Sequence, residues 1–315
     1  MILVVKGADF SANKIGTIDI PIELSDWTLA VMAKYPSFTF TDTIKKSLEL
    51  FYRELVRKGI IEKLQYLSFP VFGNTISEAV ANVLSNTYTP SVPSGASSVY
   101  TQTMGYGIKR SAAVSAETSL ISLPSESESI MSLKDLHIMA YPVDAVATGS
   151  AYDATCNVFN DKNDWNFASY INTFGLPHGT YGWSQCFVWD SIPNLTVGPL
   201  AYAGGSNTSQ TLELDPNMRT GAYPMLISNN GSTFSASING QEFVNGTPDH
   251  GYATGGTDQS TSPVYFGLSP IVVDNQWSAR RFGVFSLGKY LTNAESVTYQ
   301  NALKALMGSV IADLA

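Results

Sequence analysis

Aromatic rings and short polar side chains occur close together in several parts of this chain, and the combination is suited to binding a sugar. A sugar ring packs its flat C–H surface on an aromatic face, while its hydroxyls need amide or carboxylate partners. Trp183 and Trp189 share strand parity in GWSQCFVWD, which favours core positions for both. The remaining candidates for a carbohydrate site are Trp165, Tyr181, Tyr202, Tyr252, Asn163, Asp164 and Asp258.

One acidic loop is the candidate for a metal. NDKNDWN, residues 160–166, holds two Asp and three Asn, whose oxygens are ligands that calcium accepts. It lacks the glycine and the distal Glu of a calcium loop, and a polar hairpin tip has the same composition. We therefore predict no metal and no cofactor, with calcium as the alternative. His137, His178 and His250 are too far apart for zinc-ligand spacing.

Motifs of nucleophilic catalysis and phosphate binding are absent from the sequence. There is no Gly-x-Ser-x-Gly elbow and no Gly-x-x-x-x-Gly-Lys loop, although a Ser-His-Asp arrangement of distant residues stays open. Cys156 and Cys186 are more typical of buried small side chains than of a disulfide framework. No catalytic residue is therefore predicted.

The charge distribution argues against nucleic acid as a partner. The net charge is −8, and residues 111–260 hold 14 Asp and Glu against three basic residues. Such a surface repels phosphate backbones. No apolar run approaches the roughly 18 residues of a membrane span, so we predict no membrane insertion. The start MILVVKGADF is too short for the apolar core of a signal peptide.

Composition divides the chain into four predicted segments. A strand and attachment segment covers residues 1–40, in which Pro21 limits a strand to a sheet edge or to pairing with another chain. A helical module follows at 41–88, and the Pro/Ser/Gly-rich residues 89–98 form a linker. Residues 99–315 carry short strands separated by turn residues, which predicts a β-sandwich or barrel.

The helical module has an apolar stripe and polar caps. Thr41 or Asp42 can cap a helix that ends at Gly59, and Thr75 with Glu78 fits a capping box for a second helix over 76–84. Nine of the eighteen basic residues lie before position 64, so the helices could also form an attachment surface. Core packing is favoured for the stripe, which consists of Ile44, Leu48, Phe51 and Leu55.

The last segment contains two predicted hairpin turns and, near the C-terminus, a strand that is followed by a helix. Tight turns are predicted at Asn230-Gly231 and Asn239-Gly240 within MLISNNGSTFSASINGQEF. In RRFGVFSLGKYLTNAESVTYQNAL a strand precedes a helix with Thr292 as cap and Glu295 reaching back. The apolar stripe of that helix comprises Tyr299, Leu303, Leu306 and Val310.

These features resemble laminin-G-like and concanavalin A-like sandwiches. The similarity rests on the hairpin strand Ser-Ile-Asn-Gly-Gln-Glu and on the closing strand and turn, and it extends by strand pattern over residues 93–306. It implies a mainly β protein: an antiparallel jelly-roll sandwich with an N-terminal strand, a small helical module and a C-terminal helix. The matching residues of strand and turn are Arg281, Phe282, Val284, Phe285, Leu287, Leu291, Thr292 and Glu295.

The order of the first segments resembles structural proteins of tailed bacteriophages. A β segment, a helix leading into GIIEKLQYLSFPVFG, the stretch ISEAVANVL and a sandwich follow one another. The resemblance implies a virion subunit of a fibre, baseplate or capsid decoration, made in the host bacterial cytoplasm. It implies other virion proteins as partners through the N-terminal module, further copies of the chain, and a host-surface glycan as ligand.

Two alternatives to a glycan-binding subunit stay open. Some concanavalin A-like sandwiches are glycoside hydrolases with Glu-x-Asp-x-Glu on one strand, which places two carboxylates on one face. The nearest string here is Glu213-Leu214-Asp215-Pro216-Asn217, which lacks the third carboxylate and contains a proline. Glu126 and Glu128 in PSESES are predicted to be solvated. The other alternative is a capsid decoration protein without a ligand.

Overall fold

The protein is a mainly antiparallel β structure with a long C-terminal helix, as seen in a computed structural model. The structure describes residues 23–84, 90, 92, 95–110, 121–123, 136–144, 153–154, 156–159, 174–175, 183–191, 194–201, 210–213, 223–230, 234–246, 264–267, 270–271, 276–277 and 281–314. The described helices are α1 (Asp26–Lys34), α2 (Asp42–Arg57), α3 (Ile76–Ala79), α4 (Ala96–Val99) and α5 (Asn293–Leu314), with short 3-10 turns at Ile61–Lys63 and Pro70–Phe72.

The strands alternate with connections of very different length. They are β1 (Leu64–Ser68), β2 (Tyr100–Thr103), β3 (Gly107–Arg110), β4 (Ile121–Leu123), β5 (Leu136–Pro142), β6 (Asp153–Ala154), β7 (Cys156–Phe159), β8 (Phe174–Gly175), β9 (Trp183–Ser191), β10 (Asn194–Ala201), β11 (Gln210–Glu213), β12 (Met225–Asn229), β13 (Phe234–Ile238), β14 (Gln241–Gly246), β15 (Val264–Gly267), β16 (Pro270–Ile271), β17 (Gln276–Trp277) and β18 (Phe282–Gly288).

The main sheet has eight strands in the order β14-β13-β12-β5-β18-β3-β2, with β1 also paired to β18. All its described pairings are antiparallel. All seven residues of β18 are buried, so both faces of the sheet are covered at this strand. A strand that is buried on both faces reads as a nearly continuous apolar run, which explains the sequence FGVFSLG. The predicted mainly β fold with a C-terminal helix is confirmed.

Helices α2 and α5 cover one face of the main sheet. The Thr41 hydroxyl accepts a hydrogen bond from Ile44 N (3.2 Å) at the start of α2, and Gly59 adopts a positive φ of 67° just beyond its end. The predicted apolar stripe of α2 is buried, and so is that of α5. Both stripes enter the same hydrophobic core as Leu67 of β1 and Val284 of β18. The interpretation of the α2 stripe as core is confirmed.

Helix α5 begins with the predicted capping box. Thr292 N donates to the Glu295 carboxylate (2.8 Å), and Glu295 N donates to the Thr292 hydroxyl (3.3 Å). Lys63 also binds the Glu295 carboxylate (2.7 Å), which ties the start of α5 to the residue before β1. Near its other end, the Ser47 and Ser309 hydroxyls are 2.8 Å apart and join α5 to α2.

The predicted helical module differs from the structure in two places. Strand β1, which pairs with β18, was missed by the sequence interpretation. The second predicted helix is only the single turn α3, because the chain then runs beside β1. Asn82 donates from its amide to Gln65 O (3.1 Å), and Val83 N donates to Leu67 O (2.9 Å). These bonds occupy the outer edge of β1, which would otherwise present unpaired backbone groups.

The two hairpins of the main sheet also differ in detail from their prediction. Strands β12 and β13 pair as far as Asn229 and Phe234, so four residues connect them where a two-residue turn was predicted. The turn between β13 and β14 has two residues, with Ile238 paired to Gln241. Asn239 (φ 57°) and Gly240 (φ 78°) supply the positive φ angles that such a turn requires.

Three smaller sheets complete the described strands. Their orders are β11-β10-β9-β6, β4-β15-β7-β8 and β16-β17. Residues 1–22, which include the predicted strand with Pro21, lie outside the described residues. The boundary at 89–98 stays a prediction. Because the helices before Gly59 and the strands after it share one core, the helical segment packs as part of the main sheet's fold.

Candidate functional site

The seven predicted sugar-binding residues lie outside the described residues, in connections between described strands. The position of each connection is therefore defined by the ends of the strands that flank it. Asn163, Asp164 and Trp165 fall between β7 and β8, Tyr181 falls between β8 and β9, Tyr202 falls between β10 and β11, and Tyr252 and Asp258 fall between β14 and β15.

Pairing of β7 with β15 brings two of these connections to one place. Phe159, the last residue of β7, is paired with Tyr265 near the start of β15. The connection that leaves β7 and the one that enters β15 therefore meet at the same end of their sheet. Asn163 to Trp165 follow Phe159 by four to six residues, and Asp258 precedes Val264 by six.

Pairing of β9 with β10 likewise brings the connections that contain Tyr181 and Tyr202 to one end of their sheet. Trp183, the first residue of β9, is paired with Ala201, the last residue of β10. Tyr181 precedes Trp183 by two positions, and Tyr202 directly follows Ala201. Both tyrosines therefore belong to connections that start or end at this pair of neighbouring strand ends.

A short connection links these two pairs of strand ends. Strand β8 runs parallel to β7, with Asn157 paired to Gly175, so the chain leaves β8 in the same direction as it leaves β7. Seven residues then lead to β9, and a chain of that length spans at most about 29 Å. We call the set of strand ends at Phe159, Gly175, Trp183, Ala201 and Val264 the loop end.

The carboxylates of the hydrolase alternative belong to the opposite end of β10. Glu213 is paired with Asn194, the first residue of β10, whereas Tyr202 follows its last residue. Eight residues of strand put about 23 Å between these two ends. Asp215 lies outside the described residues, two positions beyond Glu213.

Acidic residues predominate in the connections at the loop end. The last residue of β4, Leu123, is paired with Val264, so the stretch with Glu126 and Glu128 also starts there. The connections after β7 and before β15 contain four aspartates and one lysine, which are Asp161, Asp164, Asp249, Asp258 and Lys162. This excess of negative charge repels anionic ligands and is compatible with neutral or cationic ones.

A buried histidine and serine meet under helix α5. His137 Nδ1 donates to Lys289 O (2.6 Å), and His137 Nε2 lies 3.4 Å from the Ser286 hydroxyl. Tyr299 stands edge-on to the imidazole, with ring centroids 6.2 Å apart. All three side chains are fully buried, so a dissolved substrate cannot reach them. No local pattern signals this pair, because the two residues are 149 positions apart in the chain.

A buried carboxylate fastens α1 to α2. Glu49 accepts hydrogen bonds from Ser25 N (2.9 Å), Ser25 Oγ (2.8 Å), Thr28 Oγ1 (2.7 Å) and Arg53 Nε (2.6 Å). Burial alone acts to raise the pKa of Glu49, but these donors outweigh it and lower the pKa to about 2. The arrangement caps α1 and is structural, because Glu49 is only 1% exposed.

The helical side of the sheet retains apolar groups on its surface. Leu50 and Val56 of α2 and Leu29 of α1 are about half exposed, at 53%, 47% and 49%. Arg53 and Arg57 lie on the same side of α2, where Arg57 binds the Glu54 carboxylate. An exposed mixture of apolar and basic side chains suits contact with another protein. Burial of the α2 stripe therefore leaves these apolar and basic side chains on the surface, and their use as an attachment surface stays a prediction.

Among the described residues, no set of three or more His, Cys, Asp or Glu side chains is arranged to hold a metal ion. None of the described helices is long and apolar enough to cross a lipid bilayer. The calcium alternative at residues 160–166 lies outside the described part of the chain.

Comparison with known proteins gives similarity at the level of β architecture only. No protein-family model and no curated protein sequence matches the chain. A Trypanosoma rangeli sialidase in complex with sialic acid is similar over 77% of this chain and 33% of its own, with 11% identity and a TM-score of 0.46. The chain thus spans about a third of that protein.

Two smaller proteins are similar over most of their own length. The Caenorhabditis elegans galectin LEC-6 matches 53% of this chain and 89% of its own, with 8% identity and a TM-score of 0.30. Domain 4 of AbnA, an arabinanase of Geobacillus stearothermophilus in complex with arabinotriose, matches 76% and 98%, with 13% identity and a TM-score of 0.35. These values assign neither a family nor an activity.

Proposed function

We propose that this chain is a non-enzymatic glycan-binding subunit whose ligand is held at the loop end. The observation that carries the proposal is the strand register. The pairs Phe159–Tyr265 and Trp183–Ala201 support it, because the connections that contain the predicted aromatic and polar residues start or end at these paired strand ends. Aromatic faces bind the C–H surface of a sugar, and the nearby amides and carboxylates bind its hydroxyls.

The negative charge of the loop end disfavours anionic sugars as ligands. Its connections carry more carboxylates than basic groups, and an anionic sugar would meet repulsion from them. The proposed ligand is therefore a neutral sugar or an amino sugar. Carboxylates also accept hydrogen bonds from sugar hydroxyls, so the same residues can serve as binding groups.

We further propose that the subunit belongs to a bacteriophage particle as a fibre, baseplate or capsid-decorating protein. This part rests on the resemblance of the first segments to such proteins. The exposed Leu29, Leu50 and Val56 support a docking role for α1 and α2 toward neighbouring virion proteins. Repetition of the subunit as a homo-oligomer belongs to the same proposal.

The hydrolase alternative is less favoured on geometric grounds. Glu213 stands about 23 Å of strand away from the end that carries Tyr202. Hydrolysis needs both carboxylates beside the bound sugar, about 5 to 10 Å from one another. A sugar held by Tyr181 and Tyr202 would not meet that requirement with Glu213 and Asp215.

A panel of neutral, amino and anionic oligosaccharides tests the proposal. Immobilised glycans are incubated with the full chain, and bound protein and released sugar are both measured. The expected result is binding to neutral or amino sugars without release of products. Binding to no glycan would favour the ligand-free decoration protein, and released products would favour the hydrolase. Imaging of purified particles with an antibody to the chain tests the virion role separately.

A further inference from the structure

Three Asn-Gly sequences follow one another along strands β12 to β14 of the main sheet, each in a different setting. They are Asn230-Gly231, Asn239-Gly240 and Asn245-Gly246. Asn230 is exposed at the start of the connection between β12 and β13, and Asn239-Gly240 forms the turn between β13 and β14. Asn245 and Gly246 belong to β14, where they pair with Ser235 and Phe234. The same dipeptide therefore occurs in a connection, in a tight turn and in a strand.

An Asn-Gly sequence can modify itself, because glycine has no side chain to hinder attack by its backbone nitrogen. The glycine nitrogen loses its proton to a base in the solvent and forms a bond to Cγ of the asparagine side chain. The Cγ–Nδ2 bond breaks, and Nδ2 takes up a proton from the solvent and leaves as ammonia. Water then opens the resulting five-membered imide at either carbonyl, which leaves aspartate or isoaspartate in place of asparagine.

Helix α5 holds the backbone nitrogen of Gly240 in a state that opposes this attack. Gly240 N donates to Gln300 Oε1 (2.7 Å), so the proton that must leave is engaged in a hydrogen bond. Gln300 is fully buried, and its Nε2 donates to the Ser237 hydroxyl, which fixes the orientation of the amide. Asn239 N donates to Pro224 O (2.9 Å), so the turn is also anchored to the residue before β12.

The side chain of Asn239 lies in surroundings that oppose the reaction as well. Its Oδ1 is buried and has no hydrogen-bond partner among the described residues. Attack at Cγ would place negative charge on this oxygen, and a buried charge without a donor is costly. In the closed turn, therefore, neither the proton of the attacking nitrogen nor the oxygen of the attacked amide is in surroundings that favour the reaction.

We propose that Asn239 is a self-modification site that Gln300 keeps unreacted, and that it converts to aspartate or isoaspartate when the turn separates from α5. Isoaspartate carries the backbone through the side-chain carbon and lengthens the turn by one atom, so a chain that contains it cannot form the same two-residue turn. Either product adds negative charge beside the buried Gln300. The conversion therefore makes the separation of the turn from α5 irreversible. This site is separate from the loop end and does not require glycan binding.

Ageing of the full chain in mildly alkaline buffer, followed by peptide mapping, measures the rate at all three sites. Chymotrypsin cleaves after Phe234 and Phe243 and so separates the sites, and isoaspartyl methyltransferase identifies isoaspartate. The same measurement in guanidinium chloride gives the rates of the unfolded chain. We define the protection of a site as its unfolded rate divided by its folded rate. Protection at Asn239 should exceed protection at Asn230 about tenfold or more, because the turn must open before it reacts.

The variant Gln300→Ala tests whether this residue protects the turn. We expect the ratio of protection at Asn239 to protection at Asn245 to fall about fivefold to tenfold, because a buried hydrogen bond to the turn is lost. The ratio corrects for general unfolding, which would expose both sites. Ser228→Ala is the matched control, because its hydroxyl binds Leu291 N and O (2.8 Å each) in the same contact of α5 with the sheet. That variant should keep the ratio of the parent chain.

Amide hydrogen exchange at Gly240 gives a second readout that needs no variant. Its exchange in the parent chain should be slow, and it should accelerate with added denaturant in parallel with conversion of Asn239. Equal protection at Asn239 and Asn230 in the parent chain, or fast exchange at Gly240, would overturn the proposal. An unchanged ratio in Gln300→Ala, or an equal fall of the ratio in Ser228→Ala, would remove Gln300 from its protecting role.

Discussion

The helix-covered face of the main sheet and the loop end are built in different ways. On the helix-covered face, side chains from distant parts of the chain interlock, as Leu303 of α5 does with the core that includes Leu48 of α2. At the loop end, strand register brings connections together, and the residues expected to bind lie beyond the last paired positions. The first arrangement stabilises the fold, and the second is where we propose that a ligand binds.

Because of this difference, we expect amino-acid substitutions in the two regions to change different properties. A change on the helix-covered face removes packing or a buried hydrogen bond and should lower the free energy of unfolding. A change in the connections at the loop end should alter ligand affinity and leave the unfolding transition where it is, because binding residues on loops are supported by an independent scaffold. The following predictions test that separation.

The largest effect is expected at the centre of α5. Leu303→Ala removes a fully buried side chain and leaves a cavity between α5 and the core. We expect a loss of about 2–5 kcal/mol in the free energy of unfolding. Chemical denaturation measures it, with Ala305→Ser at an exposed position of the same helix as control. A loss below about 1 kcal/mol would mean that Leu303 of α5 does not pack in the hydrophobic core.

The next largest effect is the dependence of stability on Glu49. Its folded pKa of about 2 lies below the usual 4.5, so the carboxylate stabilises the fold above pH 4.5, and this contribution disappears as the pH falls toward 2. The contribution corresponds to about 3 kcal/mol. Denaturation between pH 2 and 6 should show a weaker slope in Glu49→Gln than in the parent chain. Glu62→Gln, at an exposed position, should keep the parent slope.

A third, smaller effect concerns the two tyrosines of the loop end. The double variant Tyr181→Ala, Tyr202→Ala should weaken binding of a neutral or amino sugar about 30-fold, from roughly 1 kcal/mol for each aromatic face. Its denaturation midpoint should match that of the parent chain. Calorimetry measures the affinity. Equal affinity in variant and parent would remove these tyrosines from the site, and a common fall of midpoint and affinity would make them structural.

A fourth effect tests the charge of the loop end. Glu126→Gln together with Glu128→Gln reduces the negative charge near the start of β15. We expect affinity for an anionic sugar to rise about twofold to fivefold at low ionic strength, an increase that salt abolishes. Affinity for a neutral sugar should stay the same. A gain that persists at high salt would contradict repulsion as its cause.

The smallest effect is expected at Glu213. Glu213→Gln changes a carboxylate at the far end of β10, so sugar affinity at the loop end should not change. Any activity on polysaccharide that the parent chain shows and the variant lacks would revive the hydrolase alternative. The comparison uses the same glycan preparation for both proteins.

The sequence predicted the parts of the fold that depend on local patterns. The stripes on α2 and α5, the caps at Thr41 and Thr292 and the two-residue turn at Asn239-Gly240 follow from spacing within one segment. Strand β1 was missed because LQYLS pairs with a strand more than 200 residues away, and its neighbours read as helix. The helix over 76–84 was wrong beyond α3, because Asn82 is held by hydrogen bonds to β1 that no local pattern encodes.

The candidate site was predictable in residue types and less so in arrangement. Trp165, Tyr181 and Tyr202 were selected for their chemistry, and all seven selected residues stay predictions because they lie beyond the described strands. Their grouping depends on register, such as Trp183 opposite Ala201, which sequence spacing alone does not define. The pairing of His137 with Ser286 was equally inaccessible, since it depends on the position of β5 beside β18.

The most direct test of glycan binding at the loop end is titration calorimetry with a sugar selected from the glycan panel. The parent chain, the Tyr181→Ala, Tyr202→Ala double variant and Glu213→Gln are titrated under the same conditions. We predict binding by the parent chain, the same affinity for Glu213→Gln and a loss of about 30-fold for the double variant. Full affinity in the double variant together with loss in Glu213→Gln would contradict the account.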